Sequence, residues 1–87
     1  MIFSIKIKKH ALKYLKSLDK KRKSRLSELI STLKTDPVPF KAFDVAKLKG
    51  YDNFYRIRLG DLRIVYEVLW KEKRIVIHFI GPREKAY

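Results

Sequence analysis

Three arginines within eight residues, Arg56, Arg58 and Arg63, are the side chains in this chain best suited to chemistry on an anion. They sit in Phe54-Tyr-Arg-Ile-Arg-Leu-Gly-Asp-Leu-Arg-Ile-Val-Tyr66, which alternates apolar and polar residues on both sides of a Gly-Asp step. That pattern predicts a β-hairpin closed by a two-residue loop at Gly60-Asp61. Tyr55, Ile57, Leu59, Leu62, Ile64 and Tyr66 then share one face. Arg56, Arg58, Arg63 and Val65 share the other, with Arg58 directly opposite Arg63. Like charges facing each other across a ladder are destabilising. A bound phosphate offsets that cost, because guanidinium groups stay charged and their forked donors match phosphate oxygens. The alternative is a solvated sheet face on which the arginine stems cover Val65, Val76 and Ile80.

Further candidates come from parity. An even-length loop at Lys71-Glu72-Lys73 puts Ile75, Ile77 and Phe79 on the face of Tyr66, Val68 and Trp70. His78 and Val76 then join the arginine face, Ile80 lies opposite Arg63, and Arg83 reaches the same end of the sheet. His78 reads as an RNA contact or a general base, or as an ordinary half-buried histidine. The run Lys20-Lys21-Arg22-Lys23-Ser24-Arg25 opens a helix, where cations oppose the helix dipole. It reads as a phosphate-backbone contact or as a solvated face. The two histidines lack metal-ligand spacing and have no acidic cluster beside them, so no metal or other cofactor is expected.

The elements that must hold these residues follow from periodicity. Phe3, Ile5 and Ile7 alternate with Ser4, Lys6 and Lys8, as in a strand. A helix is predicted from about His10 to Leu18 and a second from about Lys20 to Lys34. The second has Asp19 as N-cap and the stripe Leu26, Leu29, Ile30 and Leu33. Asp36-Pro37 ends it. A short strand at about Asp44–Leu48, the hairpin, and a last strand from about Arg74 to Ile80 complete the chain. The fold class is α+β, with two N-terminal helices on one face of a small, twisted antiparallel sheet. The opposite face is left open and rich in arginine.

Bulk composition fits a single domain over residues 1–87. The formal net charge is +13. Residues 1–35 carry 11 basic and 2 acidic side chains and residues 36–87 carry 11 and 7, so the excess is largest at the N-terminal end. Such a charge predicts a polyanionic partner, most plausibly nucleic acid, and steep salt dependence of binding. An acidic protein partner and a lysine-rich surface without a binding role are the other readings. The absence of cysteine excludes disulfides and thiolate metal sites. With no apolar run of membrane-spanning length and no signal-peptide pattern, the expectation is a cytoplasmic protein.

Several strings together resemble the RelE/ParE superfamily of toxins from toxin–antitoxin modules, and look closest to archaeal RelE. They are Lys47-Leu48-Lys49-Gly50, Tyr55-Arg56-Ile57-Arg58, Gly60-Asp61-Leu62-Arg63-Ile64-Val65-Tyr66, and Gly81-Pro82-Arg83-Glu84 with the terminal Tyr87. The resemblance implies a type II toxin that cleaves messenger RNA in the ribosomal A site without a metal. It implies catalytic roles for Arg56 and Arg58 (lysines in the bacterial enzyme), Arg63, Arg83 and Tyr87. The RNA-binding candidates are Lys20, Lys21, Arg22, Lys23, Arg25, Lys47, Lys49 and His78. Implied partners are a RelB-like antitoxin, the ribosome and mRNA. The Tyr-Arg-x-Arg and Gly-Asp-x-Arg strings do not separate RelE from ParE. A ParE-like inhibitor of DNA gyrase and a non-catalytic RNA-binding module are therefore the alternatives.

Overall fold

The structure is a computed structural model, which describes residues 2–83. The elements run β1 (Ser4–Ile7), α1 (Lys9–Ser17), α2 (Lys20–Thr35), β2 (Asp44–Lys47), β3 (Phe54–Leu59), β4 (Leu62–Leu69) and β5 (Arg74–Pro82). The five strands form one sheet in the order β1-β5-β4-β3-β2. The expected elements are therefore present, and both helices lie on one face of the sheet. The sheet is mixed, because β1 pairs parallel to β5 with Ile5 opposite Ile75 and Ile7 opposite Ile77. The helical excursion between β1 and β2 makes this geometry accessible, since a parallel neighbour needs a long connection.

The helix-covered face is the core. Leu26, Leu29 and Leu33 of α2, Ala11 of α1, and Ile57, Ile64, Tyr66, Val68, Ile75 and Ile77 of the sheet have no exposed surface. Each large apolar side chain among them stabilises the fold by roughly 1.5–3 kcal/mol. Ile30 is half-buried against the same cluster. Tyr66 keeps its phenol inside by donating to the carbonyl of Pro37 at 2.7 Å, and burial pushes its pKa up. Its ring stacks with Tyr55, with centroids 5.8 Å apart. The Pro37 contact anchors the segment of bends and turns that leads from α2 to β2. Trp70 keeps to the core side, against Phe3, but only at its margin. It lies in the turn between Leu69 and Arg74, exposed, with its ring edge-on to Phe3.

The β3–β4 hairpin has the expected register, with Tyr55 opposite Tyr66, Ile57 opposite Ile64, Arg58 opposite Arg63 and Leu59 opposite Leu62. Gly60 takes φ +62°, the sign that a type II′ turn needs at its first central position. In β5 the expected parity fails after Ile77. Ile77 pairs with Tyr66 but Phe79 pairs with Val65, so His78 is the extra residue of a β-bulge. Phe79 therefore belongs to the arginine face rather than the core. Ile80 is a core residue opposite Ile64, and Gly81, not Ile80, faces Arg63. A run of six consecutive residues such as Ile75–Ile80, nearly all apolar, carries too little alternation to reveal the slip.

Candidate functional site: an arginine cluster on the open sheet face

The bulge and the turn together decide which side chains meet outside the sheet. Arg56 opposes Val65, Arg58 opposes Arg63, and Arg63 opposes Gly81 on β5. Arg83 follows β5 directly, in a short 3₁₀ turn. Its backbone N–H donates to the carbonyl of Asp61 at 3.1 Å, which brings it to the hairpin tip. Arg58 and Arg63 thus share one end of the open face, with the backbone of Arg83 tied beside them and Arg56 one row behind.

The facing arginines avoid each other by turning to different acceptors. Arg63 curls back over the turn, where its Nη1 donates to the carbonyls of Gly60 at 2.9 Å and Leu62 at 2.7 Å. This fixes the guanidinium while leaving Nε and Nη2 outside those two bonds. Arg58 leans the other way, its Nη1 lying 3.7 Å from an Asp44 carboxylate oxygen. Arg56 reaches the other oxygen of Asp44 at 3.5 Å. Asp44, the residue of β2 directly opposite Arg58, was not singled out from the sequence. Pairing the parity of β2 with that of β3 is the signal that finds it. The arginine face thus has an internal counter-charge, so part of the cost of the stacking is offset within the fold and not by a bound phosphate alone. Arg56 is also largely covered, with its side chain 12% exposed against 55% for Arg58. It contributes field from below, while Arg58 presents donors at the surface.

The basic run of α2 reaches the same end. Arg22 grips Asp61 in the hairpin turn with two bonds, Nη2 to Oδ2 at 2.7 Å and Nε to Oδ1 at 3.1 Å. Its Nη1 bonds Asp19 at 2.9 Å. The guanidinium holds both carboxyl groups below their ordinary range. Asp19 stands at the N-cap position as expected but makes no side-chain capping bond, because its carboxylate is turned to Arg22. Arg22 is thus a tie between helix and hairpin rather than an open cation. Lys20, Lys21, Lys23 and Arg25 make no ion pair among the described residues and are exposed. Arg25 and Arg58, with Phe43, Asp44 and Gly60, line a cleft of about 380 Å³ between α2 and the tip. That cleft sets Arg25 near Arg58, with Glu28 and Asp44 as its acidic members.

The remaining candidates are placed differently. His78 is on the arginine face as expected, but its Nε2 lies 3.0 Å from Oε1 of Glu67, and its ring lies against that of Phe54 at 5.0 Å. The two rings are tilted by 37° rather than parallel, and His78 is half-buried, two rows from the hairpin tip. Lys47 pairs with Tyr55 at the sheet edge, which gives it the parity of the helix-covered side. Lys49 lies beyond β2 in the following loop. Both are exposed and apart from the cluster. Tyr87 lies outside the described residues. No group of three His, Cys, Asp or Glu side chains able to hold a metal exists among the described residues. No helix there is long and apolar enough to cross a membrane.

Residues 5–87 match the sequence profile of the family described as the ParE toxin of the type II toxin–antitoxin system parDE. A Methanocaldococcus jannaschii protein whose name, RelE1, is that of a toxin is 46% identical over 87 residues. The match spans 100% of this chain and 97% of that protein. Among solved structures, the archaeal RelE–RelB complex of Pyrococcus horikoshii contains a chain that is 43% identical. It superposes with a TM-score of 0.87, covering 99% of this chain and 100% of that one. The isolated Escherichia coli RelE toxin, at 22% identity and a TM-score of 0.79 over 97% of this chain and 87% of that one, shares the fold. A profile match across nearly the whole sequence and full-length likeness to archaeal RelE lead to one conclusion: the chain belongs to the RelE/ParE superfamily of type II toxin–antitoxin toxins.

Proposed function

We propose that this toxin is a metal-independent endoribonuclease that cuts messenger RNA in the ribosomal A site. The observation that carries the reading is Arg58 standing directly opposite Arg63 at the hairpin tip, where the Arg83 backbone is also tied, on a sheet face that neither helix covers. In the reaction a ribose 2′-OH attacks the adjacent phosphorus. The O2′–P bond forms as the 2′-OH proton passes to solvent water, and the P–O5′ bond breaks as O5′ takes up a proton. The products carry a 2′,3′-cyclic phosphate and a 5′-OH. The phosphorane-like transition state gains negative charge, which fixed cations stabilise more than they stabilise the ground state.

Arg63 is the main charge stabiliser, because the turn carbonyls hold it in place before substrate arrives. Arg83 stabilises the same charge or supplies the leaving-group proton. Arg58 grips the scissile phosphate, and Arg56 adds potential from beneath. Tyr87 is assigned stacking or proton transfer by family likeness. Arginine is a poor base, and His78 is engaged with Glu67, so much of the rate rests on charge stabilisation and on positioning by the ribosome. Lys20, Lys21, Lys23 and Arg25 contact RNA backbone next to the cluster. The partner that silences the toxin is a RelB-like antitoxin, by analogy with the Pyrococcus complex.

The test is in-translation cleavage. Purified protein is expected to cut mRNA on translating ribosomes and to leave naked RNA largely intact. Arg63→Ala is expected to lose cleavage and stay folded; full activity in that variant rejects the assignment of Arg63. The match to the ParE family profile supports a second reading, poisoning of DNA gyrase. Inhibition of supercoiling without mRNA cleavage selects it.

A further inference from the structure

The open face carries a second set of side chains that neither the arginine cluster nor the core uses. Tyr51, 61% exposed, has its ring centroid 5.8 Å from that of Phe54. The Phe54 ring lies 5.0 Å from the His78 imidazole, with planes 37° apart. Phe79 lies one row closer to the arginines, opposite Val65, which itself opposes Arg56. The far end of its ring rests over Gly81. A Cβ at that position would stand 2.5 Å from the ring's Cζ, so the glycine is what admits the ring there. Gly81 in turn faces Arg63. From the hairpin tip inward, the rows therefore read Arg58 and Arg63, then Arg56 and Phe79, then Phe54 and His78, then Tyr51.

Two features separate this arrangement from ordinary apolar cover. Phe79 reaches the open face only because the bulge at His78 shifts the parity of β5, and bulges commonly re-aim side chains beside functional sites. Covering Val65 and Val76 requires only aliphatic groups, yet the available positions hold rings. Glu67 fixes the His78 imidazole at 3.0 Å, which makes it a rigid flat surface. A row of flat rings running away from a cation cluster has the chemistry that binds an unpaired strand: phosphate on the arginines, bases on the rings.

We infer that Phe79, Phe54 with His78, and Tyr51 form a stacking track that holds the bases of single-stranded RNA whose backbone lies on Arg58, Arg63 and Arg83. The track rests on the proposed function in one respect, that the ligand is RNA, and it adds where the flanking nucleotides go. Stacking accepts any base, so the track supplies affinity and orientation rather than a strict sequence code.

The experiment is binding of short fluorescent oligoadenylate and oligouridylate to the intact protein across a salt series. Phe79→Leu and Phe54→Leu are each expected to weaken binding about tenfold and to leave the slope against salt unchanged. Phe79→Trp restores affinity. Arg63→Ala instead lowers the salt slope by about 0.7 per lost phosphate contact. Circular dichroism and thermal melting identify any variant whose loss comes from unfolding, and the tryptophan rescue separates stacking from cover. Unchanged affinity in both leucine variants overturns the track, even if the protein cuts mRNA on ribosomes. Ring-dependent RNA binding without any cleavage upholds the track and rejects the nuclease reading. Absence of RNA binding by the wild-type protein overturns the track.

Discussion

The two faces of the β3–β4 hairpin are built from alternate residues of the same segment, 54–66, and they solve opposite problems. On the inner face Tyr55, Ile57, Leu59, Leu62, Ile64 and Tyr66 meet apolar partners and need little else. On the outer face Arg56, Arg58 and Arg63 bring charges that the hairpin cannot satisfy from its own side chains. Asp44 from β2 and the carbonyls of the turn do that work. The inner face is selected for fit and the outer face for field. Substitutions on one should therefore cost stability, and on the other function.

The largest expected effect tests the inner face. Ile64→Ala empties a site with no exposed surface and should cost about 3–4 kcal/mol in urea unfolding. Its sequence neighbour Arg63→Ala should change stability by less than about 1 kcal/mol, yet lower the cleavage rate on ribosomes at least about 100-fold. Equal stability losses at the two positions would abolish the distinction between the faces. Tyr66→Phe removes the donor to the Pro37 carbonyl and leaves that acceptor buried. A loss of about 1–2 kcal/mol is expected, read as a lower urea midpoint with unchanged m-value.

Gly81→Ala sharpens the boundary, because the glycine backs a core strand while its open side holds Phe79. Displacing the ring should cost about 1–2 kcal/mol. By the stacking argument it should also weaken oligonucleotide binding. The smallest effect concerns the Arg22–Asp61 tie. Arg22 lowers the Asp61 pKa below its ordinary value near 3.8, so the folded state binds fewer protons there than the unfolded chain. The contribution is present above that ordinary value and fades as the pH falls through the lowered one. Both groups are exposed, so the effect is a slight one. An acid titration of stability should be shallower below pH ~4 in Asp61→Asn than in the wild type.

Some of this was legible in the residues. Period-two alternation with Gly-Asp at its centre defines the hairpin register, because a one-residue slip would turn every isoleucine outward. The i, i+3, i+4 stripe Leu26, Leu29, Ile30 and Leu33 marks the face of α2 that meets the sheet. The arginines' shared face follows from the same alternation. The partner of Arg58 was not legible from the hairpin alone, because Asp44 lies on another strand whose pairing no local pattern specifies. Nor was Phe79, since the bulge at His78 sits in a run where apolar residues occupy both parities.

The sequence by itself determined the elements, the hairpin register, the charge and the family, because these rest on local periodicity and on contiguous strings. Tertiary structure alone decided three things: that β1 runs parallel to β5, that Arg22 closes on Asp61 across 39 positions of chain, and that the bulge exchanges Phe79 and Ile80 between the faces. Each depends on which distant backbone groups come within hydrogen-bonding reach, and that is settled only when the sheet and its helices pack together.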